Sequence, residues 1–342
     1  MIPVREVSGT GLSLPELGFG AATLGNLYRP VSDAEAGQAL AAGYAAGMTY
    51  IDTAPHYGHG LSERRVGDFV RGHGDAIVST KVGRLLRPRR DLEGRAEERQ
   101  GFVSPMPFER EFDYSRDGIL RSWEDSLQRL GLAHVDILYI HDIGRVTHGA
   151  DHDRLFAQLT RGGGFRALEE LRDGGAIKAF GLGVNEWQVC LDAMDHAHLD
   201  LVLLAGRYTL LEQTALESFL PRCLAEDTSI VIGGAYNSGI LATGTRRPGP
   251  LHYDYGAPPP DVLARVSAIE DVCEIFGIPL AAAALQFPLA HPAVASVILG
   301  LGSSARVDQT MDLYRRAIPV EFWGMLRERG LLRAGAPVPG AG

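Results

Sequence analysis

The chain has 342 residues, 45% of them hydrophobic and 22% charged, which is enough to bury a large core and suits one α/β barrel with insertions. Its formal net charge of -9 argues against nucleic acid or an anionic membrane surface as a broad electrostatic partner, although a local basic pocket stays open. A soluble enzyme or a soluble binding domain remains.

The N-terminal stretch "MIPVREVSGTGLSLPELGFG" lacks a charged segment followed by a long apolar run, so it reads as a small β-hairpin rather than a targeting signal. Short β-rich runs then alternate with helix-period runs to the end of the chain. The candidate strands are "LGFGAAT", "MTYIDTA", "AIVSTKV", "VDILYIHD", "IKAFGLGV", "DLVLLAG", "SIVIGG" and "VASVILG". Between them lie helical patterns such as Asp33 to Ala46, with Ser32 or Asp33 as N-cap. Another is Ser115 to Leu130, with Ile119, Leu120, Trp123, Leu127 and Leu130 on one face. Eight strands each followed by a helix predict an α/β fold of the (β/α)8 TIM-barrel type, with residues 1–342 forming a single domain.

Two long segments interrupt the repeat: Arg84 to Asp113 after the third strand and Ala242 to Pro260 after the seventh. Both follow the C-terminal end of a strand, the face on which barrel sites are built, so both are candidate substrate loops. For the charged middle of the first, a solvated disordered insertion is the alternative. Cys190, Cys223 and Cys273 are far apart and form no C-x-x-C, so neither zinc nor a disulfide framework is indicated and a reducing cytoplasmic setting is expected. The longest apolar run, "IPLAAAALQFPLA", is too short and too proline-marked to span a bilayer.

The chemistry gathers at the predicted strand ends. The second strand ends at Asp52 and runs on to Tyr57, the third ends at Lys81 in "STKVG", and the fourth at His141 in "YIHD". In a barrel these ends converge on one mouth. An unpaired buried carboxylate is costly, so Lys81 is the expected partner of Asp52. A free phenol titrates near ~10, and a neighbouring ammonium lowers that value, so Tyr57 is the expected proton carrier. His141 is placed to hydrogen-bond and orient the substrate oxygen. The groups "HYGH" (His56, His59) and "HGADHD" (His148, His152, Asp153) raise metal catalysis. No H-x-H on the first strand and no H-E-x-x-H helix supports it, so no metal is expected and His56 is placed beside Tyr57 in the substrate pocket.

With "IDTAPHYG", "STKVG" and "YIHD" together, the sequence resembles the aldo-keto reductases, from "LGFGAATLGN" to "SSARVDQT". The resemblance implies a nicotinamide-dependent oxidoreductase with Asp52, Tyr57, Lys81 and His141 as catalytic residues and the cofactor extended across the barrel mouth. The run "GLGSSA", Gly300 to Ala305, nominally matches G-x-G-x-x-A, but no further strand follows to complete a Rossmann unit. It suits instead a phosphate site after the eighth strand, cradled by Gly302, Ser303 and Ser304. By the same resemblance Asn185 holds the nicotinamide carboxamide, Tyr236 stacks on the ring, and Arg306 faces the adenosine 2′ position with Gln309 and Thr310 nearby. Gly300 stands where NADP-selective members carry a lysine, so NAD with tolerance for NADP is expected.

The sequence is most similar to the sugar-oxidising branch of that family, which implies oxidation of an aldose such as L-fucose at C1 to the lactone. The alternatives are pyridoxal oxidation, general aldehyde reduction and, in another class, a non-catalytic cofactor-binding regulatory subunit. Hydroxyl recognition is expected from His56, Asp142 and Asn237, and an aromatic wall from Trp187, Tyr28 and Phe102. The partner is a small-molecule sugar or aldehyde; neither nucleic acid nor membrane is expected.

Overall fold

The computed structural model describes residues 2–254 and 256–340. β1 (Val4–Val7) and β2 (Leu12–Pro15) form the expected antiparallel hairpin. β3 (Leu17–Gly20), β4 (Tyr50–Asp52) and β5 (Ile77–Val82) begin the barrel, and β6 (Arg84–Pro88) pairs antiparallel with β7 (Phe108–Phe112) outside it. β8 (Ile137–His141), β9 (Ala179–Val184), β10 (Leu201–Ala205), β11 (Ser229–Gly233) and β12 (Val294–Gly300) complete a closed parallel barrel in which β12 returns to β3. All eight expected strands are present.

Period-2 alternation sorts the side chains. Ile51, Val78, Leu138 and Ile140 face the surrounding helices, whereas Tyr50, Ile137, Tyr139, Leu203 and Val231 fill the barrel together with Val7, Leu12 and Leu14 of the hairpin. The hairpin therefore plugs one barrel end. It is tied there by Arg5, which donates to Glu16 and to the carbonyls of Leu289 and Val294.

α1 (Asp33–Ala45) starts in a capping box: the Ser32 hydroxyl accepts from the Glu35 amide while the Glu35 carboxylate accepts from the Ser32 amide. α2 (Leu61–Val70) follows β4. α3 (Arg116–Leu130) is capped by Ser115 and buries Ile119 and Leu130, with Leu120, Trp123 and Leu127 half-buried beside them. Cys190, Cys223 and Cys273 are free and buried. Among the described residues no single helix is long and apolar enough to cross a membrane.

The insertion after the third barrel strand is folded at both its ends, whereas its charged middle, Asp91 to Glu98, is largely exposed. Besides the β6–β7 hairpin, its inner part turns back over the barrel: the Val103 amide donates to the Asn26 carbonyl at 3.0 Å, and the Tyr28 amide to the Gly101 carbonyl at 2.8 Å. Phe102 is buried by this return.

Candidate active site

Asp52, Ser79, Lys81 and His141 occupy inward positions near the ends of β4, β5 and β8, one alternate step beyond Tyr50, Ile77, Ser79 and Tyr139 respectively. Lys81 Nζ lies 2.7 Å from Asp52 Oδ2 and 3.0 Å from the Thr53 carbonyl. An ammonium has three donors, so one remains, and Nζ stands 4.7 Å from the centre of the Tyr57 ring. The predicted pairing of Lys81 with Asp52 is present, sealed within the protein.

The Tyr57 loop is set by a backbone contact. A Cβ on Gly25 would fall 2.5 Å from the Tyr57 carbonyl carbon, and Gly58, at φ +63°, would place a Cβ 2.5 Å from the Gly25 oxygen. Only glycines allow the two loops to approach this closely.

Burial alone would lower the Lys81 ammonium, but Asp52 and Tyr57 together outweigh it and hold the group above the usual lysine value. For Tyr57 the expected lowering of the phenol is corrected. Burial pushes it above the usual tyrosine value; Lys81 pulls against that without overcoming it. The desolvation of a phenolate in this pocket exceeds the stabilisation by one shared ammonium. His141 is driven well below the usual histidine value by burial and then by Arg84 and Lys81, so it is a neutral imidazole. Its ring centre lies 6.1 Å from that of Tyr57 and 6.0 Å from that of His56. His56, lowered to about 2 chiefly by burial, is neutral as well.

Among the expected substrate contacts, Phe102 and His56 stand beside the phenol, with ring centres 5.3 Å apart and Phe102 6.2 Å from Tyr57. Tyr28 is exposed on the neighbouring loop. Trp187 packs against the outer core and donates to the Thr214 hydroxyl at 3.3 Å. Asp142 is engaged by the buried Arg84 and accepts from Asn185 Nδ2 at 3.0 Å. Asn237 accepts from Thr209 Oγ1 at 2.6 Å and donates to the Gly206 carbonyl at 3.0 Å. Asp142 and Asn237, expected to read substrate hydroxyls, thus each already hold partners in neighbouring loops.

A groove of about 980 Å³ runs beside the eighth strand and is lined by Tyr236, Gly300, Arg306, Gln309 and Thr310, five of the residues expected to hold a cofactor. Gly302, Ser303 and Ser304 open the helix Ser304–Arg315, with Ser303 as N-cap and no acidic residue in the first turn, which suits an anionic phosphate. The Tyr236 hydroxyl is buried without a hydrogen-bond partner, as a ligand-facing group would be. These residues fit an extended dinucleotide. Asn185 lies across the mouth, its carbonyl accepting from Arg207 at 2.6 Å, while Arg207 also pairs with Asp254 at 2.8 Å.

Sequence reasoning missed Arg84, although it stands three residues after Lys81 where the strand's charge could have drawn attention. It also missed Tyr114, whose hydroxyl holds the His141 carbonyl at 2.7 Å and meets His148 at 2.9 Å, and Arg29, which donates to the Gly302 carbonyl at 3.1 Å. Among the described residues no group of three or more His, Cys, Asp or Glu side chains could hold a metal.

A closed barrel with an acid, a phenol, an ammonium and a neutral imidazole at one end, and a phosphate-suited groove beside it, defines a nicotinamide-dependent oxidoreductase. The chain belongs to the aldo/keto reductase family, whose model matches residues 16–329. It is 47% identical to a pyridoxal 4-dehydrogenase of Microbacterium luteolum, over 96% of this chain and 97% of that one. It is 40% identical to a D-threo-aldose 1-dehydrogenase of a Pseudomonas species, over 95% of this chain and 97% of that one. In fold it is similar to a glycerol dehydrogenase from Gluconobacter oxydans, with a TM-score of 0.73 at 21% identity over 99% of this chain and 98% of that one.

Proposed function

We propose that the protein oxidises a cyclic hemiacetal to its lactone, with Tyr57 taking the proton of the hydroxyl on the carbon being oxidised. The observation that supports this most is the sealed Asp52–Lys81 pair against the Tyr57 ring. Asp52 keeps Lys81 charged, Lys81 stabilises the phenolate, and neutral His141 orients the substrate oxygen. Bound nicotinamide supplies the hydride acceptor. The hydroxyl hydrogen leaves as a proton to Tyr57, the carbon hydrogen leaves with its electron pair, and the lactone carbonyl forms between the atoms they leave.

For the substrate we favour pyridoxal in its hemiacetal form over L-fucose. Two of the three polar groups counted toward a sugar already hold partners in neighbouring loops, whereas Phe102 and His56 set two rings, edge to face at 84°, beside Tyr57. The 47% identical relative named for pyridoxal supports the same choice. An aldose is the second reading, favoured by the 40% identical relative named for aldoses. The deciding measurement is kcat/KM for pyridoxal and for L-fucose with NAD under one oxidising condition. Pyridoxal is expected to exceed L-fucose by at least about tenfold, and a preference for L-fucose would overturn the choice.

A further inference from the structure

Behind the Asp52–Lys81 pair the barrel interior carries a line of hydroxyls that the proposed mechanism does not use. Ser79 Oγ donates to Asp52 Oδ1 at 2.7 Å. Tyr50 Oη lies 3.1 Å from Ser79 Oγ and 3.0 Å from Tyr139 Oη. Tyr50, Ser79 and Tyr139 are all fully buried. Each hydroxyl has one proton, so the donors can be assigned by elimination. The Ser79 proton is on Asp52; its oxygen must then accept from Tyr50, and the Tyr50 oxygen from Tyr139. Reversing the line would set two lone pairs against each other inside the barrel.

We propose that Ser79 is a positioning residue for proton transfer at Tyr57, with Tyr50 and Tyr139 holding its hydroxyl so that its one proton points at Asp52. Asp52 thereby receives a donor on each oxygen, Ser79 on Oδ1 and Lys81 on Oδ2, which fixes the plane of the carboxylate and opposes the upward push that burial gives it. The titratable groups around it are Lys81 from β5, Tyr57 from the adjoining loop, Tyr50 from its own strand and Tyr139 from β8, with neutral His141 beyond Lys81. Tyr50 and Tyr139 are both pushed above the usual tyrosine range, chiefly by burial, so they stay donors at every working pH. Without the Ser79 donor Asp52 binds a proton more readily. Lys81 then lacks its counter-charge in a desolvated site and gives up its own, and the Tyr57 phenolate loses its stabilising neighbour.

The inference rests on Tyr57 as the proton carrier but not on which hemiacetal is oxidised. Its test is the pH dependence of kcat in the oxidising direction for Ser79→Ala, Ser79→Thr and Tyr50→Phe, with Tyr57→Phe alongside and the best hemiacetal of the wild-type enzyme as substrate. Ser79→Ala is expected to lower kcat about tenfold and to move the half-maximal pH upward by about one unit, with KM for NAD within about twofold. Ser79→Thr keeps the hydroxyl and restores the wild-type profile. Tyr50→Phe, which keeps the ring, moves the midpoint the same way by less and supplies the readout if Ser79→Ala does not fold. An unchanged midpoint in Ser79→Ala, with Tyr57→Phe inactive, overturns this inference alone. Activity retained in Tyr57→Phe overturns the reading of the site itself.

Discussion

Lys81 Nζ and Asp52 Oδ2 meet at 2.7 Å with their side chains 2% and 1% exposed, so neither charge has water to fall back on. Breaking such a pair by removing one partner leaves the other charge uncompensated, at a typical cost of about 3–5 kcal/mol, whereas removing both is far milder. Lys81→Met and Asp52→Asn are each expected to lower Tm markedly, and the double variant to regain most of that loss while remaining inactive. Thermal unfolding of the three proteins, with activity alongside, checks this. A double variant no more stable than the singles would show that the pair is not the unit.

Tyr57→Phe should reduce kcat by about 10²–10⁴-fold while leaving NAD affinity within about twofold, because the ring stays and only the proton carrier goes. Burial holds the phenol above its ordinary value, so the wild-type oxidative rate is expected to climb with pH beyond neutrality. The pH profile and a cofactor titration read both effects. A variant within a few-fold of wild type would remove Tyr57 from the mechanism.

Much of this was legible because strand alternation is a strict rule. Asp52 and His141 end apolar runs and Lys81 stands one residue from the end of its strand, positions where core packing calls for no such groups, and the barrel brings those ends together. The same rule could have reached Tyr50, Ser79 and Tyr139, two residues earlier on each strand, but hydroxyl and aromatic side chains are ordinary strand formers and carry no such signal. The commitment of Asp142 was hidden for a different reason. Its partners Arg84 and Asn185 are 58 and 43 residues away and meet it only when the barrel closes. Asn237 sits at φ +45°, in a tight turn whose side-chain bonds no period reveals.

Histidines shielded from water set the acid limit of stability: His59, His141 and His291 are buried, and His56 and His148 are half-buried. Burial lowers His56 to about 2, His148 and His291 to about 4, and His141 well below the usual value, with Arg84 adding to the first, second and last of these. Each is neutral when folded and takes up a proton on unfolding below about pH 6.5, so the unfolded state binds more protons there and stability falls as pH falls. Tm is expected to drop between pH 6.5 and 5, above the ordinary carboxylate range, with proton uptake on unfolding in the same window. A flat Tm over that interval would contradict the neutral assignments.

Cofactor choice should follow the cations near the adenosine end. Arg306 opens the helix beside the groove, while Arg246, the next candidate, is already bound by Asp271 and Glu274. Arg247 and Arg316 also line the groove, but Arg306 is the guanidinium on the first turn of the helix that Ser303 caps, and one guanidinium there gives a weaker hold on a 2′-phosphate than a clamp of two. NAD is therefore expected to be used at least as well as NADP, and Arg306→Ala to reduce kcat/KM for NADP by about tenfold with little effect on NAD. A preference for NADP of several hundred-fold in the wild type would overturn this reading of the groove.

Arg110 tests the substrate class. It lies on the β7 hairpin strand, half-buried, with its guanidinium 5.4 Å from the Phe112 ring, and among the described residues no carboxylate forms an ion pair with it. Arg84 beside it has its charge answered by Asp142, so Arg110 leaves one positive charge over near His56 and His141. The ring hydroxyl of pyridoxal ionises readily and would meet that charge; an aldose hydroxyl does not ionise at working pH. Arg110→Gln is expected to reduce kcat/KM for pyridoxal by about tenfold or more and to leave a neutral aldose within about twofold, since a charge-assisted hydrogen bond is lost in one case and not the other. Steady-state kinetics of both substrates on both proteins decide it. Equal losses would show that Arg110 shapes the mouth without reading charge, and a loss confined to the aldose would return the substrate to the sugars.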